Sequence, residues 1–158
     1  GRDAESLTDR SIPGPFEGER DPTPPYRFGW DEMQESLSQR ADNDEPDPHD
    51  GYSLAYVNPA TGKPPLFPTM SFRAQLLQEA TDPHFHNATE VYFVIDGSGA
   101  THVGDETLEW DQWDIFVVPP DEIHHHEPDG GEATLLGITD RPVLEAFNFY
   151  AEAEPSSD

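Results

Sequence analysis

Cysteine is absent from this chain, which at once excludes disulfides, thiol nucleophiles and cysteine-bound zinc. Lysine is nearly absent too: Lys63 stands alone, and 8 basic residues face 33 acidic ones, for a formal charge of -25 over 158 residues. A surface of that sign repels phosphate backbones and anionic bilayers, so neither nucleic acid nor membrane is expected as a partner. Long apolar runs are missing: nothing approaches the ~20 residues of a membrane span. No signal-peptide pattern opens the chain at Gly1, and the expected location is the cytoplasm. Only 34% of residues are hydrophobic and many of the 17 prolines fall early, so the ordered core is expected to be smaller than the chain.

The acidic residues are dispersed along the whole sequence rather than gathered in one tail. This is the pattern of a halophile's protein, whose carboxylates hold water and cations in brine. Self-repulsion among them is poorly screened in dilute buffer. Stability is therefore expected to rise with salt, and a melting temperature that stays flat from dilute buffer to molar KCl would refute this.

Residues 1–29, including SIPGPFEGERDPTPPYRFGW, carry prolines, glycines and charges without periodicity and read as an extended arm. Residues 1–51 together form an arm-like region with one short helix at about 30–40. There Trp30, Met33 and Leu37 share a face, and Asp31 and Glu32 suit the helix N-terminus. The acidic loop 41–51 follows. From Tyr52 the texture becomes strand-sized apolar runs between turns: YSLAYV, TMSFRAQLLQ, EVYFVID, GATHV, ETLEW, DIFVV, HHHE and ATLLGIT. Such spacing, with no helix between the runs, predicts an all-β antiparallel sandwich or barrel over 52–150. A closing helix is expected over 140–150, with Asp140 as N-cap, Pro142 in the first turn and an apolar face of Val143, Leu144 and Phe147. Residues 151–158 read as a disordered tail.

Within PHFHNATEVYFVIDG, His84 and His86 are two apart and so share a strand face, and Glu90 follows at an even spacing. Two imidazoles and a carboxylate on one face are half of a first-row metal site. The other half is offered by WDIFVVPPDEIHHHEPD, where His124 and His126 share a face and His125 points away. One of the two suffices as a ligand, and the other then orients a ligand or meets a substrate. Gln75, His102, Trp113 and Tyr92 are further candidates for a pocket, although core packing is the expected role of Trp113 and Tyr92. His49, beside the acidic loop, is expected to be solvated.

The run HxHxxxE with Gly97 beyond it resembles the first motif of the cupin superfamily, and DIFVVPPDEIH, with Pro119 and His124, is similar to the second. The resemblance implies a small antiparallel jelly-roll barrel with His84, His86, Glu90 and His124 as metal ligands. YVNPATGKPPLFPTMSFRAQLL, FVVPP and TDRPVLEAFNFY further resemble the C-terminal half of gentisate 1,2-dioxygenases, relatives of the salicylate and 1-hydroxy-2-naphthoate dioxygenases, over roughly residues 25–150. Asp121 stands where the second motif usually has glycine. Glu90 and Tyr92 stand where that family's catalytic cupin has an apolar residue and an arginine.

The resemblance implies Fe(II) chemistry, with Mn, Ni or Zn suiting the same donors. It also implies a small hydroxylated aromatic acid and O2 as substrates, and an oligomer of like chains. His126 and Gln75 are the expected catalytic side chains, His126 as an acid or base. Two alternatives stand beside ring cleavage. One is a metal-dependent isomerase or sugar-processing cupin, because one fold serves many chemistries. The other is a catalytically idle cupin half that needs a partner.

Overall fold

The structure is a computed structural model that describes residues 27–156. Most of the expected N-terminal arm lies outside the described residues. Helix α1 (Trp30–Asn43) is followed by β1 (Tyr52–Ala55), β2 (Ser71–Leu77), β3 (Phe85–His86), β4 (Glu90–Asp96) and β5 (Gly99–Val103). Then come β6 (Glu106–Trp110), β7 (Ile115–Val118), β8 (His124–Pro128), β9 (Ala133–Thr139), α2 (Arg141–Ala146) and β10 (Glu152–Ala153). All strand pairs are antiparallel. They form a five-stranded sheet in the order β1-β2-β9-β4-β7, a three-stranded sheet β6-β5-β8, and the small pair β10-β3.

Alternation along the strands produces the core. In β4, Glu90, Tyr92 and Val94 turn inward while Val91, Phe93 and Ile95 turn outward, and β9 alternates in the same way. The inner faces of both sheets meet in a cluster of Leu77, Tyr92, Val94, Val103, Trp110, Phe116, Val118, Ala133 and Leu135. Strand β2 breaks the period from Ala74 onward, because α1 covers its outer face. Leu37 of that helix is buried against Ala74 and Leu76, flanked by Trp30 and Met33. Burial of one such leucine contributes about 1.5–3 kcal/mol. At the β4–β5 turn, Gly97 has φ 84°, and a Cβ there would lie 2.6 Å from the Glu132 carbonyl oxygen. Backbone holds that gap, so glycine is required.

Three extents differ from expectation. Helix α1 runs on to Asn43, since no proline intervenes before Pro46. Helix α2 ends at Ala146, one turn sooner than expected. Phe147 is its C-cap and 68% exposed, and Asn148 with φ 58° reverses the chain. Residues 152–153, expected in a tail, form β10 against β3, with Glu152 opposite His86. Among the described residues no helix is long and apolar enough to cross a membrane.

Candidate metal centre

The fold brings His84, His86 and His124 together: all three are buried, and one ligand nitrogen from each lies within 4.8 Å of the others. His86 sits on β3, His124 opens β8, and an antiparallel backbone bridge between His84 and His124 joins the two loci edge to edge. The ring centroids are 4.4 Å apart for His84–His124 and 4.9 Å for His86–His124.

Backbone carbonyls fix two of these rings. His86 Nδ1 lies 2.8 Å from the Ala88 carbonyl and His124 Nδ1 lies 2.9 Å from that of Glu122. A carbonyl only accepts, so both Nδ1 atoms carry the proton and both Nε2 atoms present a lone pair. His124 Nε2 has no hydrogen-bond partner and neither has His84 Nδ1, although both are buried. An unpartnered buried nitrogen costs about 1–3 kcal/mol, and two in one three-imidazole cluster fit a cation as the missing partner. Burial, with the neighbouring histidines, lowers His124 to about 4 and also lowers His84. For these two rings the neutral form that binds metals prevails at neutral pH, whereas His86 is raised, burial being outweighed by Glu90 and the Ala88 carbonyl.

Glu90 is buried beside this cluster, outside the group of three. One carboxylate oxygen receives a 2.8 Å hydrogen bond from Arg73 Nη2, the other a short hydrogen bond from the Tyr92 hydroxyl, and His86 Nε2 is 3.6 Å away. Burial alone would raise its pKa; His86, Arg73 and Tyr92 outweigh that, and Glu90 stays below the usual carboxylate range. Arg73 also binds Asp50 at 2.8 Å. Arg73 is not among the candidates that the sequence pattern singles out. Its signal was a guanidinium inside the apolar run SFRAQLL, which has to find buried carboxylates.

His126 and Gln75 lie deeper. His126 is 1% exposed, packs edge-on against Tyr92, and meets the Thr101 hydroxyl through Nδ1 at 2.8 Å. The Trp110 indole N–H in turn donates to that hydroxyl. Burial, then His124, lowers His126 to about 3. Gln75 donates to Asp50 and leaves its own Oε1 unpartnered, facing Gly137. Neither residue lines the cavity that opens on the cluster. That cavity, about 320 Å3, is walled by Asp50, Arg73, His84, His86, Glu90 and Arg141, with Tyr150 and Glu152 from the C-terminal segment among the others. Its volume is at the low end for small-molecule sites.

Three further candidates fall elsewhere. Tyr92 is core, as expected, but its hydroxyl serves Glu90. Trp113 is not core: it is 62% exposed on a turn with φ 75°. His102 lies on the outer face of β5, away from the cavity. His49, expected to be solvated, is half-buried, packs at a tilt against His84 with ring centroids 4.4 Å apart, and bridges the Asp82 carbonyl and Glu154. The acidic loop folds back over the histidines, which composition does not reveal.

The chain matches the family described as the AraC-like ligand binding domain over residues 71–141. It is 73% identical over 154 residues to a gentisate 1,2-dioxygenase of Haloferax sp, covering 98% of this chain and 43% of that one. It is 40% identical over 135 residues to a 5-aminosalicylate 1,2-dioxygenase of Comamonas sp, covering 84% and 36%. The chain thus spans less than half the length of these relatives. Among solved structures, a salicylate 1,2-dioxygenase from Pseudaminobacter salicylatoxidans superposes with a TM-score of 0.71 at 23% identity, over 80% of this chain and 38% of that one. A cupin 2 conserved barrel domain protein from Rhodopseudomonas palustris gives 0.54 at 16% identity, over 71% and 72%.

Proposed function

We propose that this chain, a cupin-type domain homologous to gentisate 1,2-dioxygenase, holds one ferrous ion on His84, His86 and His124 and opens the ring of a small hydroxylated aromatic acid with O2. The observation that carries this reading is the pair of buried, unpartnered nitrogens, His84 Nδ1 and His124 Nε2, inside a three-imidazole cluster beside a cavity. When bound, the ferrous ion supplies the electron-transfer chemistry that couples the ring to O2. The chain's residues supply the rest. Glu90, fixed by Arg73 and Tyr92, sets a negative charge beside the metal-binding Nε2 of His86, whose ring is held through Nδ1 by the Ala88 carbonyl, and is not itself one of the three ligands. His126 and Gln75 form the wall behind the triad and hold it, rather than exchanging protons with a ring in the cavity. The cavity walls exclude water and orient the ring.

Two guanidinium groups face the cavity among the described residues. Arg73 is committed to two carboxylates, whereas Arg141 pairs with the exposed Glu145 and stacks on the Tyr150 ring at 4.1 Å. An exposed pair is weak and readily exchanged, so Arg141 is the group to receive a substrate carboxylate. A charge-assisted hydrogen bond is worth about 1.5–3 kcal/mol. Arg141→Met is therefore expected to raise KM for gentisate roughly 10- to 100-fold with kcat little changed. An unchanged KM in steady-state assays would move the carboxylate elsewhere.

The reading is tested by oxygen uptake. The protein is reconstituted anaerobically with Fe(II) in molar KCl and offered gentisate, salicylate and 5-aminosalicylate in turn. One O2 consumed per ring lost supports it. Iron bound without uptake on any of the three favours a second reading, a metal-holding part of a longer enzyme, which the 43% and 36% shares of the relatives' lengths support. The proposed setting is the cytoplasm, with copies assembled through the exposed apolar strip of Ile115, Val117 and Trp113. Sedimentation that returns only monomer in molar salt would remove that assembly.

A further inference from the structure

We propose that the outer face of the three-stranded sheet carries a second divalent-cation site, built from His102, His125 and Glu127 and suited to a borderline ion such as Zn2+. The sheet register makes it. His102 of β5 lies directly opposite His125 of β8, and Glu127 follows two residues along β8 on the same face. The two imidazoles stack at 4.5 Å with planes 18° apart, and His102 Nε2 is 3.1 Å from Glu127 Oε2. One ligand atom from each of the three lies within 4.8 Å of the others. Alternation along β8 turns His124 and His126 to the opposite face, so this set is separate from the interior triad.

A further residue makes the cluster more than a chance neighbourhood. Thr107 of β6 is the register partner of His102 on its other side, and its hydroxyl meets His102 Nδ1 at 3.2 Å. That contact pins the ring with Nε2 turned toward Glu127, the way outer-shell partners orient metal-bound histidines. Two adjacent strands, β5 and β8, thus present two nitrogens and one carboxylate from rigid backbone, and β6 adds the hydroxyl that holds one of the rings. Two histidines and a glutamate form a recurrent zinc set that leaves a position open for water. The strongly negative surface concentrates cations around the chain, and a cation here ties β5 to β8 across the sheet whose inner face holds His124.

The test counts bound Zn2+ by equilibrium dialysis in molar KCl, where diffuse attraction to carboxylates is screened. His102→Ala and Glu127→Gln are each expected to lose one bound ion relative to the unmodified chain. A chain lacking His84 and His86 is expected to keep one ion and lose it when His102→Ala is added. Co2+ titrations should give two sets of visible bands in the unmodified chain, with the outer set missing from His102→Ala. Equal counts in the unmodified chain and His102→Ala would overturn the site. So would an equal loss from Glu35→Gln, an exposed acid on α1, the helix that packs against the other sheet. Both substituted side chains are at least one-third exposed, so the fold tolerates the changes. Failure here leaves the interior triad untouched, because His84 and His86 report on that separately.

Discussion

Arg73→Met is expected to destabilise the domain by about 3–5 kcal/mol, the cost of stranding a buried charge whose partner is removed. Arg73 donates at 2.8 Å to both Glu90 and Asp50, and Glu90 is only 4% exposed. Without the guanidinium, Glu90 keeps Tyr92 and the more distant His86 nitrogen, too little to offset desolvation. The double variant Arg73→Met/Glu90→Gln is expected to recover much of the loss, because the charge that needed compensation has gone. Urea unfolding at fixed molar KCl measures both. A single-variant cost under about 1 kcal/mol would mean that water already solvates the pair, as at a surface.

The same variant carries a pH signature. Glu90 titrates below its unfolded value of 4.5, so the folded state releases its proton more readily than the unfolded one. Its contribution is fully present above pH 4.5 and fades as pH falls below that value. The gap between the unmodified chain and Arg73→Met should therefore be widest near neutrality and narrow in acid. A gap independent of pH would mean that the cost is lost packing of the arginine stem.

The strands and the two same-face histidine pairs were legible because both follow from parity, whereas the choice of His124 over His126 came from the resemblance to the second cupin motif. Eight apolar runs separated by turns became eight strands, and even spacing alone put His84 with His86 and His124 with His126. What parity does not carry is depth or distance. His124 and His126 share a face, yet one joins the cluster and the other is sealed behind it by Thr101 and Trp110, residues 23–25 and 14–16 positions away in sequence. Strands β3 and β10 have two residues each, too short to show a period, and their pairing joins positions 66 apart. The link from Arg73 to Glu90 crosses β9, where Gly137 lies between Arg73 and Tyr92 in register. With no side chain there, Gln75 Oε1 and the Tyr92 ring both come within 3.3 Å of where its Cβ would be. Only the strand order reveals that meeting. Trp113 was misjudged because large aromatics usually fill cores, whereas its turn has a positive φ and turns it outward.

Alanine at His84, His86 or His124 is expected to abolish Fe(II) binding and take oxygen uptake to background, whereas Glu90→Gln is expected to weaken the metal by only roughly 10–100-fold. The contrast separates a ligand from a buried charge beside one. If Glu90→Gln loses the metal as completely as His84→Ala, Glu90 is a fourth ligand. Full activity in any of the three alanine variants would end the ring-cleavage reading. Stability gives a check independent of turnover. His84 has an unpartnered buried nitrogen and is pushed down by desolvation and by the cationic tendency of neighbouring His49 and His86. Metal-free His84→Ala should consequently melt within a few degrees of the metal-free parent, since the lost packing is offset by relief of that nitrogen. Adding Fe(II) to a hundredfold excess over its dissociation constant should then stabilise the parent by about 2.7 kcal/mol and the variant not at all. A site that costs stability when bare and returns it when filled is one shaped for its ion, and equal metal responses in parent and variant would show that His84 does not hold it.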